Sequence, residues 1–493
     1  MKAVSLIAKG YPRGSKQLIG PFKSLFGPDD AAAWFGSRGV TLKTEGDGRM
    51  FPVTDDSQTI IDCLEEAARK ASVEVVTSAR VTSVLRAEPA EAGNATDGAD
   101  GVEAQPQQQP PRFELEFATA TPLPPAVRKA LGVSAAGIAI AGEGSGATGA
   151  AREGHGWAKK LGHAVSPPVP SLFTLTIRDP RWLEGLSGLS VQDAQLKLFA
   201  DEKPESSSAA KAGKPAGSRG SAEGEGGVGE DDALPGRAEA AAVAAGNGES
   251  AGGGKKKRKR GKQRAAVTQR GPLLITHTGV SGPAALKLSA FGARVLNESG
   301  YRGRLVVNWM AGNNPSKTLD DLQAFRTRNA KKTVYAFCPV VGSGALGSSV
   351  SSGGRPQSPQ PPSISSLPRR LWQSLALAAG VAAGDKWADL SKAKLSALAQ
   401  QLTACEFQIV GKGSFKEEFV TCGGVALSAL DMRTMESKTV AGLHFAGEVV
   451  DVDGVTGGFN FQSAWTTGWV AGSAIGSAAS AEGTTTTCAV EES

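Results

Sequence analysis

Apolar residues recur along this chain with two different periods, and the places where the period changes divide it into parts. Over residues 57–70, Ile60, Ile61, Leu64, Ala67 and Ala68 stand three and four positions apart, which places them on one face of a helix. Asp55 and Asp56 precede that run and can cap it. Residues 29–35 read as a second helix. Residues 73–76, 81–85 and 112–117 read as strands, and 137–141 as one more short apolar strand. The order helix, strand, strand, strand fits an α/β domain in which a β-meander replaces a crossover helix. Residues 137–141 would then return to its central parallel sheet.

After Gly156 the period shortens. Residues 171–178, 189–198, 271–275 and 304–309 are alternating runs rich in Leu, Val and Thr, which suits an antiparallel barrel or sandwich. Residues 319–330, 367–379 and 390–402 then return to helical spacing and predict a small helical subdomain. Pro368 is tolerated there if it lies in a first turn, where a missing N–H costs little. Around Thr421 the chain re-enters the first domain, so two halves far apart in sequence have to meet in space.

Composition adds contrast rather than a class. Apolar residues are 40% of the 493 and charged residues 21%, which is globular on average. Residues 88–111, 201–268 and 342–362, however, are dominated by Ala, Gly, Ser, Gln, Pro and charge. They carry too few apolar groups to offset ordering entropy and are expected to be disordered insertions. The connection over 201–270 is tolerable because loop-closure cost rises only logarithmically with length. The net charge of +6 comes from Lys255, Lys256, Lys257, Arg258, Lys259, Arg260, Lys262 and Arg264, which leave the rest of the chain slightly negative. Such a run can be a localisation or polyanion patch, or a solvated block in a loop. No aromatic residue is interleaved to stack on bases, so a nucleic-acid partner is not expected.

Cys63, Cys338, Cys405, Cys422 and Cys488 are scattered and odd in number, which argues for a reducing compartment, cytoplasm or plastid, and against a disulfide framework. The four histidines, His155, His163, His277 and His444, have no zinc-like spacing, and no metal is expected. No run of about 18 apolar residues is present to span a bilayer. Oligomeric state leaves no signature in the sequence.

The densest stretch is 419–472. A short apolar strand, Gly442-Leu443-His444-Phe445-Ala446-Gly447, ends at Glu448; Asp451 follows, and Thr456-Gly457-Gly458 opens a helical run over 461–471. Strand, glycine turn and helix N-terminus together make an anion site, because the first helical N–H groups are unpaired and carry partial positive charge. Carboxylates beside it can accept hydrogen bonds from sugar hydroxyls. The combination points to a nucleotide cofactor; the plainer alternative is a strand-turn-helix corner with a chance Gly-Gly.

Four blocks in this stretch, Thr421-Cys422-Gly423-Gly424-Val425, Thr434-Met435-Glu436-Ser437-Lys438, Gly442 to Glu448 and Thr456-Gly457-Gly458-Phe459-Asn460, occur in order. Together they resemble the C-terminal signature of the BaiN/RdsA (YhiN-like) family of FAD-dependent oxidoreductases. Further matches lie upstream at Gly39-Val40-Thr41-Leu42-Lys43-Thr44-Glu45, Gly48-Arg49-Met50-Phe51-Pro52-Val53-Thr54-Asp55 and Pro168-Val169-Pro170-Ser171-Leu172-Phe173-Thr174. Thr276-His277-Thr278-Gly279-Val280-Ser281-Gly282-Pro283-Ala284 adds another. The resemblance implies an α/β protein: a discontinuous Rossmann-type FAD-binding domain with an inserted β-barrel domain and a small helical subdomain. The expected parts are 1–165 and 419–475 for FAD, 166–312 for the barrel with its insert 201–268, and 313–418 for the helices with an insert at 342–365. Residues 476–493 would be a disordered tail.

The resemblance also implies chemistry. FAD would be held by Gly447, Glu448, Asp451, Thr456, Gly457, Gly458, Phe459 and Asn460, with NAD(P)H as electron source and a small organic molecule, such as a conjugated enone, as substrate. His277 or Lys438 is the expected proton donor, in two polar blocks that either face the flavin or bridge the domains.

One departure stands out. Members of the family begin with a strand, a G-x-G-x-x-G turn and a helix, whereas this sequence starts at Met1-Lys2-Ala3-Val4 and already matches the region after them. The expectation is an N-terminally incomplete FAD domain; the alternative is a homologue that keeps the fold without stable FAD binding. Gly144-Ser145-Gly146-Ala147-Thr148-Gly149 also fits G-x-G-x-x-G, but no acidic residue lies between Glu153 and Asp179 to take ribose hydroxyls. By resemblance it is a later loop where backbone passes close to the flavin.

Overall fold

The computed structural model describes residues 4–77, 79–86, 113–119, 138–142, 149–178, 184–201, 265–336, 338, 367–413 and 420–482. The expected insertions at 88–111 and 342–365, most of that at 201–268, the basic run, residues 144–148, Cys488 and the tail beyond 482 lie outside them.

Three helices come first: α1 (Val4–Ala8), α2 (Ser15–Ser24) and α3 (Pro28–Gly36). Proline opens α3 at no hydrogen-bonding cost, and Asp30 accepts the Gly27 N–H at 2.7 Å. The hairpin β1 (Leu42–Thr44) and β2 (Met50–Pro52) leads to α4 (Gln58–Lys70), where Asp56 accepts the Gln58 N–H at 2.9 Å. The amphipathic spacing of α4 is real, yet none of its residues is buried. Residues 73–76 form no strand, contrary to the sequence reading. The Val73 N–H closes the end of α4 on Ala68, Val73 and Val75 are exposed, and no described strand lies alongside to complete a ladder. β3 (Ala79–Arg86) and β4 (Phe113–Thr119) pair antiparallel as a meander arm, followed by β5 (Ile138–Gly142) and α5 (Gly149–Lys160).

The alternating runs build a closed six-stranded antiparallel barrel. After β6 (Val165–Ser171), which lies outside it, come β7 (Leu175–Ile177), β8 (Ser190–Ala200), β9 (Val267–Ile275) and β10 (Gly279–Ser281). Helices α6 (Pro283–Phe291) and α7 (Ala293–Glu298) precede β11 (Gly303–Asn308). Helices α8 (Pro315–Arg328), α9 (Arg369–Ala378) and α10 (Lys392–Thr403) precede β12 (Cys405–Lys412). The strands follow the order β10, β7, β12, β11, β8, β9 around the barrel. Leu305 stands opposite both Leu198 and Phe407; Ala194, Leu196 and Leu198 point inward with period two, and a register shift between Val191 and Ala194 turns Val191 inward as well.

Three features depart from the sequence reading. β12 falls within 313–418, the segment read as helical, and β11 and β7 both pair with it to close the barrel. Helices α8, α9 and α10 share one hydrophobic cluster with the barrel interior, through Leu322, Trp372, Leu375, Leu398 and Leu402. Trp372 stacks on Trp387 with ring centroids 6.2 Å apart and donates to the Val334 carbonyl at 2.8 Å. Pro368 is the N-cap residue of α9 rather than a member of its first turn.

The chain then returns to pair β13 (Val420–Val425) with β6. The short strands β14 (Leu430–Asp431) and β15 (Glu436–Ser437) and the apolar β16 (Leu443–Gly447) form a sheet in the order β14, β15, β16, β5, with β16 and β5 parallel. Helix α11 (Phe459–Glu482) covers it and runs past residue 476, where the tail was expected to start; Val470, Ile475 and Ala479 are buried along it. A second hydrophobic cluster joins Tyr11, Leu18, Phe22, Ile140 and Trp157 to Val425, Leu443, Phe445, Val449 and Val470, residues from both ends of the chain. No described helix is long and apolar enough to cross a membrane.

Truncating Trp372 to Ala should lower unfolding free energy by about 3–5 kcal/mol, while Leu377→Ala, at an exposed position, should change it by under about 0.5 kcal/mol. Urea midpoints read both, and equal midpoints would mean that the helices do not share the barrel core.

Candidate functional site

Parallel strands β5 and β16 end at the same edge, where Gly142 stands opposite Gly447. In an open α/β sheet that edge is where a ligand binds. At Gly447 the N–H donates to Thr467 Oγ1 at 2.9 Å, so α11 holds the strand end directly. Glu448 is half-buried just beyond, and Val449 and Val450 turn into the core. β13 presses against this loop: Val425 N–H donates to the Val449 carbonyl at 2.8 Å, and Asp451 N–H to the Val425 carbonyl at 3.0 Å. A Cβ at Gly424 would lie 2.5 Å from the Val449 carbonyl oxygen, and φ there is +143°. Only glycine allows so close an approach, which accounts for the Gly423-Gly424 pair in the sequence.

The two aspartates that follow are both engaged. Asp451 accepts from Ser166 Oγ at 2.8 Å and from Arg294 Nη2 at 2.9 and 3.0 Å. Asp453, with no exposed surface, takes the fork of Arg13 on both carboxylate oxygens and a hydrogen bond from Ser171 Oγ at 3.1 Å. Burial pushes the Asp453 carboxyl up, and the Arg13 guanidinium and Ser171 hydroxyl pull it back. The Cys422 thiol beside this cluster is raised by burial, against the pull of Arg13 and Arg294.

Thr456, Gly457 and Gly458 form the exposed turn itself. The first hydrogen bond of α11 runs from Gln462 N to the Gly458 carbonyl, so the N–H groups before it find no partner within the helix. Gly458 has φ +85° and open space where a Cβ would stand; the stem of Arg49 lies 3.4 Å from the equivalent point on Gly457. Asn460 does not face outward: its Oδ1 accepts the Gly454 N–H at 2.7 Å and its Nδ2 donates to the Gly454 carbonyl at 3.3 Å. Phe459 packs edge-on against Tyr11, whose hydroxyl donates to the Phe459 carbonyl at 2.6 Å.

The expected proton donors sit in different modules. His277 is exposed at the turn between β9 and β10, where Thr276 Oγ1 accepts the Gly279 N–H at 3.1 Å. Lys438 donates to the Ser428 carbonyl at 2.9 Å at the edge of the β14 to β16 meander. The rest of that block is structural in its contacts. Met435 is buried, Glu436 accepts the Gly442 N–H at 2.8 Å, and Ser437 Oγ lies 2.7 Å from His163 Nε2. Among the described residues no group of three or more His, Cys, Asp or Glu could hold a metal ion.

Sequence reasoning missed Arg13, Ser171, Arg294, His155 and His163. The one signal for the first three was a pair of acids inside the apolar run Val449-Val450-Asp451-Val452-Asp453, where burial demands a cation from elsewhere. The histidines are both buried. His155 Nε2 lies 3.2 Å from the Val449 carbonyl, and His163 Nδ1 3.1 Å from the Ala158 carbonyl, and burial holds both imidazoles below their ordinary pKa.

Residues 126–474 match the family model described as HI0933-like protein Rossmann domain. A ribosomal RNA dihydrouridine synthase of Haemophilus influenzae is 27% identical over 197 residues, covering 40% of each chain. Its counterpart from Escherichia coli is 31% identical over 206 residues, covering 41% of each. The match thus spans about two fifths of those two relatives. A 3-dehydro-bile acid delta(4,6)-reductase of Clostridium scindens is 24% identical over 449 residues, 91% of this chain and 80% of that protein.

A histidine buried neutral stabilises the fold above its unfolded pKa of about 6.5, and that contribution is lost as pH falls through the lower folded pKa. The urea midpoint should therefore fall between about pH 7 and pH 5, and fall less in His155→Gln and His163→Gln. Parallel pH profiles for all three proteins would show that neither ring is held neutral.

Proposed function

Since the chain belongs to the HI0933-like Rossmann family, we propose that it is a flavin-dependent oxidoreductase that binds FAD at the Thr456 to Gly458 turn and reduces a conjugated carbon–carbon double bond. The observation that carries this reading is the exposed glycine turn at the N-terminus of the 24-residue helix α11, placed at the carboxyl edge of the parallel pair β5 and β16. The turn fits the polar edge of an isoalloxazine. Its amides, unpaired within the helix, and its positive helix end favour negative charge, and among the described residues no side chain fills the space over Gly458. Bound FAD supplies a two-electron carrier that takes hydride from NAD(P)H and delivers it to carbon.

The residues of this chain would do the rest. Glu448, half-buried at the strand end just before the turn, is proposed to take ribityl or ribose hydroxyls, as a carboxylate there can; Asp451 is held by Ser166 and Arg294. Asn460 acts indirectly, pinning Gly454 so that the turn keeps its shape. His277 is proposed as the proton donor that completes addition across the double bond, since it is exposed with no hydrogen-bond partner among the described residues, whereas Lys438 is bound to Ser428. The relatives' names support the reaction class: a delta(4,6)-reductase and two dihydrouridine synthases each imply hydrogen added to a double bond. They differ in substrate, a bile acid in one case and ribosomal RNA in the others.

The protein purified in the presence of FAD should be yellow. Gly458→Val, which forces a β-branched residue into positive φ, should weaken FAD binding at least about tenfold. His277→Asn should keep the flavin and lower turnover by on the order of 10²-fold or more, and Lys438→Met should change neither. A colourless protein that takes no added FAD would leave a fold without its cofactor, which is the competing reading.

A further inference from the structure

Beside the turn, the ion pair between Arg13 and the fully buried Asp453 is a charge contact that the proposed chemistry does not use. Arg13 follows α1 and precedes α2, and its backbone makes an antiparallel bridge with Asp453. Its Nε and Nη2 take both carboxylate oxygens of Asp453, while Nη1 donates to the Ala290 carbonyl near the end of α6 at 2.9 Å. A single guanidinium therefore ties the N-terminal segment, the loop after β16 and a helix of the barrel side. Its planar fork is suited to this in a way that a lysine ammonium is not.

The same segment grips the turn from its other end. Val455 N–H donates to the Gly10 carbonyl at 2.9 Å, Tyr11 Oη donates to the Phe459 carbonyl at 2.6 Å, and the Phe459 ring covers Gly10 so closely that a Cβ there would fall 2.2 Å from it. Asp453 is joined to the helix N-terminus through Gly454, whose N–H and carbonyl are both held by Asn460. Residues 10–13 thus fasten the loop on either side of Thr456, Gly457 and Gly458, leaving only those three exposed. Leu172, Ala290, Val420 and Val455 form a small apolar cluster beneath the same junction.

We propose that Arg13 and Asp453 are positioning residues for the flavin-facing turn, a paired buried clamp that fixes the amides of α11's first turn relative to the barrel. This rests on the reading of that turn as the FAD site. A loop anchored only by its own backbone would let the amides shift by the ångström or so that electrostatic preorganisation cannot tolerate. Burial works against the Asp453 charge that receives the fork, and the Arg13 guanidinium and the Ser171 hydroxyl support it. Removing Arg13 leaves Asp453 as an uncompensated buried charge.

The test uses the full chain and three readouts: FAD affinity, the reduction potential of bound FAD, and backbone hydrogen exchange. Asp453→Asn keeps the size and removes the charge; Arg13→Met removes the fork, and Arg13→Lys restores charge without it. Expected for Asp453→Asn and Arg13→Met are at least tenfold weaker FAD binding and a more negative flavin potential, because the helix amides no longer face the reduced ring. Faster exchange should be confined to residues 10–13 and 453–461, with the barrel unchanged. Arg13→Lys should recover part of each effect.

If the single variants do not fold, Arg13→Met/Asp453→Leu replaces the pair with apolar groups and should fold, showing the same loosened turn. Wild-type exchange at 453–461 in the folded variants, or loosened exchange with unchanged affinity and potential, overturns the proposal. A wild-type protein that takes up no FAD overturns the cofactor reading instead, and the exchange pattern alone then decides whether the pair holds the turn.

Discussion

A carboxylate with no exposed surface has to be met by a cation, and in this molecule that requirement shapes the junction around Asp453. The loss of hydration on burying such a group amounts to several kcal/mol, recovered only with good geometry and further hydrogen bonds. Arg13 and Ser171 provide both. To deliver them, the N-terminal segment has to lie against the loop after β16, and β6 has to end where its last residue meets that loop. The second aspartate repeats the logic nearer the surface, with Arg294 from α7 and Ser166 from β6. Between the two hydrophobic clusters, the barrel's and the sheet's, the contact is made by these charges and by two small apolar groups around Leu172 and Cys422.

Much of the architecture was legible because period reports which face of an element is covered. The two N-terminal helices read from the sequence, β8, β9, β11 and the three helices on the barrel all fall close to where spacing placed them. Period says nothing about partners, and the departures follow from that. Residues 73–76 have a strand's composition but no neighbour among the described residues, and α4 has an apolar face that buries none of its residues. β12 does alternate, with Cys405, Phe407 and Ile409 inward, but it follows α10 after a single residue, with no Gly or Pro to mark the change. The end of α11 is built from Ala, Ser and Gly, a composition that resembles a tail. It is helical because Ile475 and Ala479 find cover.

The candidate site was legible as a pattern and not as a set of side chains. Glycines at 424, 457 and 458 announce close approach or a turn, and a family resemblance could point to them. Which polar groups look outward is a tertiary property. Asp451 and Asn460 stand in the right stretch yet reach for Arg294 and Gly454, while Arg13, hundreds of positions upstream, governs the same loop. A single chain contains no record of such pairings, since a buried aspartate and a distant arginine look like any two charges until the fold brings them together.

The hairpin of β8 and β9 has a bearing on how the molecule can change. Leu198 stands opposite Val267, and the Ala266 N–H closes the ladder on the Leu198 carbonyl at 2.8 Å, so the two strand ends meet side by side whatever joins them. Because closing a longer connection costs only slowly more, sequence can lengthen or shrink at this doorway at a small cost, and a reporter or affinity handle can be grafted there.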